Sequence, residues 1–198
     1  MKRTILTIGI CTVIALQMAN AQKTWRLGVS TFKESFFYPS LDNFSGPYHP
    51  GVSVVADKVL KVRRNSTKLL SLEAGFYHHD YFQTGLFLLA GLNYAYPIKE
   101  KLVLRWGPRL GYLHTFSPTG IYEHKNGEFQ QVKDFGRPTG LAGVTLGMEY
   151  PIITMGSSET IDLFLDYQIL VEGPFAPAAG VPVVPHTFIG LGLKTLLF

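Results

Sequence analysis

The sequence predicts an all-β chain of eight antiparallel strands, joined up-and-down and closed into a transmembrane β-barrel. Three observations predict it. Apolar and polar residues alternate with a period of two through segment after segment. An export signal stands at the start of the chain. Charge is sparse for a surface that meets water, 16% of residues against about 25% in soluble domains, while aromatics reach 13%.

The export signal is Met1-Lys2-Arg3, an apolar run from Thr4 to Leu16, and then Ala19-Asn20-Ala21. This is the three-part layout of a secretory signal peptide, and the small-x-small site places the cut after Ala21. The chain then divides into residues 1–21, removed, and 22–198, a single barrel domain. The run falls short of the roughly 20 apolar residues that carry a helix across a bilayer. Cys11, the sole cysteine, lies inside it, so the mature chain is expected to have no thiol, disulfide or Cys-based metal site. Loss of Lys2 and Arg3 leaves 16 basic against 14 acidic residues. That balance is near neutral, and the whole-chain pI of 9.1 gives no reason to expect a nucleic-acid partner. No second apolar run approaches spanning length, so a mature chain in a membrane must cross it as a closed sheet.

Thr24 to Phe32 reads as the first strand. Gly51 to Val62 follows, with Lys58 on the face of Val52, Val54, Leu60 and Val62; a bulge near Val54-Val55 or Asp57 would restore the phase. Lys68 to His79 sets Leu70, Leu72, Ala74 and Phe76 against Ser71, Glu73, Gly75 and Tyr77. In Phe82 to Tyr96 the even positions Leu86, Leu88, Ala90, Leu92, Tyr94 and Tyr96 form the apolar face. Lys101 to His114 sets Leu102, Leu104, Trp106, Leu110 and Tyr112 against Arg105, Gly107, Arg109 and Gly111, and Thr139 to Tyr150 repeats the split. From Thr160 to Glu172 every odd position is apolar, and His186 to Phe198 closes the set. The connections sort by length. Arg63 to Thr67, Pro97 to Glu100 and Ile152 to Glu159 would be periplasmic turns. Glu34 to His49, His79 to Tyr81, Ser117 to Gly136 and Gly173 to Pro185 would be outer loops.

A soluble barrel has the same alternation, so the contents of the polar face matter. That face holds glycines 85, 91, 107, 111, 143 and 147 with scattered charges, which suits a filled interior better than a wet exterior. On the apolar face Tyr94, Tyr96, Tyr112 and Tyr150 gather near strand ends, as interfacial girdles do. Outer-membrane lipid is therefore the expected partner of that face.

With these features the mature chain resembles the small outer-membrane barrel families that include the OmpA and OmpX type. The signal peptide, the strand count and the ending Leu196-Leu197-Phe198 carry the resemblance. It implies handling by the outer-membrane insertion machinery, which reads a terminal aromatic. The apolar phase of Ile189, Leu191, Leu193 and Leu197 leaves Phe198 on the opposite side, which predicts a frayed or bulged end. Asp166-Tyr167-Gln168, Gly173-Pro174-Phe175 and Pro185-His186 are similar to barrels of Bacteroidetes-like bacteria, a likeness that implies no activity.

With lipid on the apolar face, the ionisable residues of the lumen are Arg26, Asp57, Glu73, Arg105, Arg109, Glu149, Asp162 and Asp166. An eight-stranded barrel is just wide enough to be filled by side chains, so these charges should pair and plug it. The alternative is a narrow path for ions or small solutes. Some barrels of this size modify the acyl chains of lipid A with a His, a Ser and an acid. The candidates for such an acyl hydrolase are His78 and His79 beside Asp80, and His114 three residues before Ser117, but the His-x-Ser spacing is absent. No cofactor, phosphate-binding or metal-ligand motif appears. Loop Glu34 to His49, with Phe36, Phe37, Tyr38, Phe44 and Tyr48, could fold over the rim or meet a ligand, and the ligand is left open. The class this favours is a monomeric structural or binding barrel at the cell surface.

Overall fold

Period-two alternation specifies strands, and a strand with one apolar and one polar face must turn each toward a matching environment. The computed structural model describes residues 25–35, 47–80, 82–98, 101–125, 127–155, 159–176 and 180–196. The predicted signal peptide, Phe36, Phe37, Tyr38, Phe44, and the terminal Leu197-Phe198 lie outside them.

The strands are β1 (Trp25–Ser35), β2 (His49–Arg63), β3 (Ser66–His78), β4 (Thr84–Pro97), β5 (Val103–Phe116), β6 (Ile121–Lys125), β7 (Glu128–Val132), β8 (Arg137–Met155), β9 (Glu159–Gly173) and β10 (Val184–Leu196). Eight of them close an antiparallel barrel in the order β1-β10-β9-β8-β5-β4-β3-β2. Closure pairs β1 with β10, from Arg26 opposite Leu196 to Ser35 opposite Thr187, so the barrel strands leave no open edge. The β2–β3, β4–β5 and β8–β9 turns join one end, and the other end carries longer connections except for the five-residue β3–β4 link.

Three sequence expectations are corrected. First, β2 alternates without a break from Gly51 to Lys58, and its bulge falls between Val59 and Lys61 rather than near Val54-Val55 or Asp57. Lys58 stays on the apolar phase because it lies at the short-turn rim, its ammonium 5.5 Å from the Trp25 ring. A long stem on greasy surface with the charge at the edge satisfies both groups. Second, β8 runs on to Met155 through a bulge between Pro151 and Ile153, so the turn expected over Ile152 to Glu159 is shorter. Third, the loop Ser117 to Gly136 is not plain loop; β6 and β7 pair within it as a two-stranded ribbon.

The large apolar side chains point out. Leu88 is 60% exposed and Leu110 69%, with Val54, Trp106, Leu146 and Leu193 alike. Trp25, Lys58, Lys68, Tyr94 and Trp106 form a band at the short-turn end, where Tyr94 stacks on Trp106 at 5.4 Å and carries the Lys68 ammonium. Phe76, Tyr112, His114 and Phe116 mark the long-loop end of the same face. Inside, rings from one strand lie over glycines of the next. A Cβ on Gly51 would sit 2.2 Å from the Phe32 ring, and one on Gly85 2.4 Å from Tyr77. These pairs are cross-strand partners, so glycine is what lets the ring fold across the lumen.

Candidate functional site

The lumen is filled in layers. At the short-turn end Arg105 is buried among three carboxylates. Its Nη1 donates to Asp57 Oδ2 at 3.1 Å, its Nε lies 3.0 Å from Glu149 Oε1, and its Nη2 donates to both Asp166 oxygens at 2.7 and 2.9 Å. Lys194 Nζ donates to Asp57 and, at 3.0 Å, to Glu149. Arg26 donates to Glu149 at 2.7 Å and to Asp162. Ser71 donates to Asp57 and receives the Asn93 amide at 2.6 Å. Three cations thus face four carboxylates contributed by β1, β2, β5, β8, β9 and β10. Each charge has at least one opposite charge at contact distance, the condition under which buried ions are tolerated.

One step higher, Glu73 accepts from Ser53 at 2.8 Å and from Gln168 at 2.9 Å. Arg109 approaches this carboxylate only to 3.9 Å, too far for a hydrogen bond. An apolar layer follows. Phe188 packs on Phe32 at 4.9 Å, on Phe87 at 5.4 Å and on Tyr77 at 5.7 Å, with Leu89, Leu113, Leu141 and Leu170 around them.

Above that layer, at the long-loop end, lies a second polar cluster. His186 is fully buried, with Nδ1 2.9 Å from Glu34 Oε1 and Nε2 3.0 Å from Glu172 Oε2. Both nitrogens can donate to these carboxylates only when the ring is imidazolium. Gln83 donates to Glu172 at 2.9 Å and to the Tyr77 hydroxyl at 2.8 Å, and Arg137 reaches Glu172 at 3.3 Å. The mouth is then capped by stacked rings. His49 and His79 lie face to face at 3.5 Å, His79 meets Phe82 at 5.9 Å, and Phe82 stacks on Phe175 at 5.5 Å. The Arg137 guanidinium lies over the Phe175 ring, 4.2 Å from its centroid. Burial and the neighbouring His49 push the His79 imidazole below its usual range, against the pull of Glu34 and Asp80.

Of the lumen residues expected from the sequence, Arg26, Asp57, Arg105, Glu149, Asp162 and Asp166 come together in one network, and Glu73 and Arg109 sit above it. Among the described residues the candidate acyl-hydrolase groups do not assemble into a His-Ser-acid set, although His78 does meet Asp80. His114 is held by the Tyr112 hydroxyl at 2.8 Å and the Phe135 carbonyl at 3.1 Å, while Ser117 Oγ bonds Thr119 at 3.2 Å. His78 pairs with Asp80 at 3.0 Å and Thr84 at 2.7 Å on the exposed rim, and His79 belongs to the ring stack.

Sequence reasoning missed Lys194, Glu34, Glu172, His186 and Arg137. Lys194 and His186 lie opposite the apolar phase of Ile189, Leu191 and Leu193, and Glu172 opposite that of Ile169 and Val171, so the alternation itself carried that signal. Glu34 and Arg137 fall at predicted strand and loop borders, where alternation has no reach.

No family model matches the chain, and no curated protein does. Among solved structures it is similar to neisserial surface protein A, NspA, with a TM-score of 0.51 at 12% identity over 89% of this chain and 98% of that one. A designed transmembrane β-barrel aligns with a TM-score of 0.40 at 14% identity, covering 88% and 98%. The N-terminal β-barrel domain of Pseudomonas aeruginosa OprF aligns with 0.39 at 15%, covering 87% and 97%. The chain therefore shares with NspA the fold of a small, closed antiparallel barrel, here of eight strands.

Proposed function

We propose that the chain is an exported, monomeric outer-membrane protein whose lumen is plugged by its own side chains and whose long-loop end serves a structural or binding role at the cell surface. The observation that carries this reading is the inversion of the ordinary protein plan. Leucines and aromatics are exposed around the outside, while Arg105, Lys194, Asp57, Glu149 and Asp166 are buried inside. Water would penalise that exterior over its whole height; hydrocarbon would not. The closed ladder leaves no barrel strand for a second subunit to extend.

The short turns then face the periplasm, and the β6–β7 ribbon and the capped mouth face outward. The phenylalanine layer and the ion network both cross the lumen, which favours a plugged barrel over a conducting one. His114 and Ser117 are each engaged with another partner, the Phe135 carbonyl and the Thr119 hydroxyl, which disfavours lipid A acyl chemistry. Expressed from the full sequence, the processed chain should fractionate with outer membranes and migrate faster on gels before boiling than after. Planar bilayers should show no unitary conductance, and lipid A should keep its acyl number. A folded, processed chain in the soluble periplasmic fraction would overturn the reading.

A further inference from the structure

From Lys58 to Lys68 the chain reads Lys-Val-Leu-Lys-Val-Arg-Arg-Asn-Ser-Thr-Lys, five cations in eleven residues with no acid among them. The stretch forms the β2–β3 hairpin at the short-turn rim, which turns at Arg64 and Asn65. The bulge between Val59 and Lys61 decides where its cations point. Under unbroken alternation Lys61 would follow Asp57 and Val59 into the lumen. The extra residue sets it opposite Lys68 instead, whose ammonium lies over the outward Tyr94 ring at 5.8 Å. Directly opposed residues share a face, and re-aiming a side chain is what bulges do. Lys58, Lys61 and Lys68 therefore stand together on the outer face. Arg63, two residues past Lys61 and opposite Ser66, continues the row.

Like charges directly opposite each other repel. Among the described residues no carboxylate lies within ion-pair distance of these five cations; the nearby lumenal acids Asp57, Glu149 and Asp162 are taken by Arg26, Arg105 and Lys194. Lys61, Arg63 and Arg64 are exposed, while Lys58 and Lys68 are half-buried beside Trp25 and Tyr94. The long-loop rim differs, since Arg137 is paired there with Glu172 and His78 faces Asp80.

We propose that the β2–β3 hairpin is a docking surface for the phosphate headgroups of anionic phospholipids, in the leaflet on the short-turn side. The proposal rests on the membrane reading above. Its first support is depth. The row adjoins the band of Trp25, Tyr94 and Trp106, and such rings lie at the level of lipid headgroups. The Lys58 and Lys68 ammoniums lie over two of these rings, so they sit at that same level, with their stems on greasy surface. The second support is direction. The lysines face sideways from the barrel wall, toward lipid in the plane of the membrane, rather than down the barrel axis toward a soluble partner. A phosphate between Lys61 and Lys68 turns their repulsion into two attractions. Arg63 and Arg64 add planar forks, each able to take two phosphate oxygens at once.

The test reads the lipid beside the hairpin. With Trp106→Phe, Trp25 is the single tryptophan of a chain that holds two, and its ring lies 5.5 Å from the Lys58 ammonium. The protein is refolded into vesicles of equal parts phosphatidylcholine and phosphatidylglycerol, with bromine on the acyl chains of one lipid or the other. Bromine on phosphatidylglycerol should quench Trp25 more, with a relative association constant of about fivefold for each cation that meets a headgroup. The preference should be lost at about 1 M salt, where screening acts within about 3 Å. It should fall severalfold in Lys61→Gln/Arg63→Gln/Arg64→Gln, whose replaced side chains are all exposed. Equal quenching by the two lipids in inserted protein, or a preference untouched by salt or by the triple substitution, overturns the docking surface. Should the triple variant fail to fold, the salt titration of its Trp106→Phe parent decides. Gel migration before boiling reports insertion separately. A chain that does not insert overturns the membrane reading and this surface with it, whereas insertion without lipid preference overturns this surface alone.

Discussion

Replacement of Arg105 by methionine should be among the most damaging single changes in the barrel. The side chain touches Asp57, Glu149 and Asp166, and removing it does not leave these acids equally exposed to one another. Asp57 keeps Lys194, and Glu149 keeps Lys194 and Arg26. The ion pair described for Asp166 is with Arg105 alone. The variant therefore strands one carboxylate in a lumen where the local balance falls to two cations against four acids. Breaking a buried pair in this way costs about 3–5 kcal/mol. Arg109→Met supplies the contrast. Arg109 stands 3.9 Å from Glu73, which retains donors from Ser53 and Gln168, so its loss should cost under about 2 kcal/mol. The assay is urea unfolding of vesicle-refolded protein followed by tryptophan emission, with Asp166→Asn completing a cycle. Arg105→Met/Asp166→Asn should recover stability, with an interaction energy of about 0.5–3 kcal/mol. Equal losses in the two arginine variants, or a double variant no better than Arg105→Met, would refute the reasoning.

Other outcomes follow from the same packing. Leu88→Arg, mid-strand on the exposed apolar face, should lower stability in vesicles by about 2–4 kcal/mol, whereas Val62→Arg at the short-turn rim should cost about 0–1 kcal/mol; equal effects would contradict a depth-dependent exterior. Gly51→Ala would put a Cβ 2.2 Å from the Phe32 ring, and the forced rotation of that ring should cost about 1–3 kcal/mol by urea midpoint. Phe188→Ala, which empties the centre of the lumenal aromatic layer, should cost about 3–5 kcal/mol; a loss under 1 kcal/mol would mean that the layer is not packed.

The barrel was legible because its signal is repeated. A strand that keeps Leu86, Leu88, Ala90 and Leu92 on one side for most of its length can be assigned from order alone, and its neighbours must keep the same phase to close. Reading failed where one residue served two masters. Lys58 looks like a phase error until Trp25 is known to lie opposite, a long-range pairing that no local pattern encodes. The bulge at Val59–Lys61 is hidden for the same reason, since Leu60 remains apolar on either register. The β6–β7 strands are five residues each and mix Tyr122 and His124 with Gln130 and Gln131, too short and too polar to stand out. In the lumen, individual charges could be assigned to the inner face, but partnership could not. Arg26 and Asp162 are 136 positions apart, and only closure of β10 on β1 brings them together. The ring stack is harder still, because His49, His79 and Phe175 come from three separate connections and strand ends whose approach depends on loop conformation.

On the function proposed above, the apolar outside of the barrel meets hydrocarbon. With Trp25→Phe, Trp106 becomes the single tryptophan of a chain that holds two, and its side chain is 47% exposed on that outer face. Refolded into vesicles whose acyl chains carry bromine, it should lose most of its emission and be shielded from an aqueous quencher such as iodide. Emission indifferent to bromine but quenched by iodide, in protein that is folded, would place water where the account places lipid.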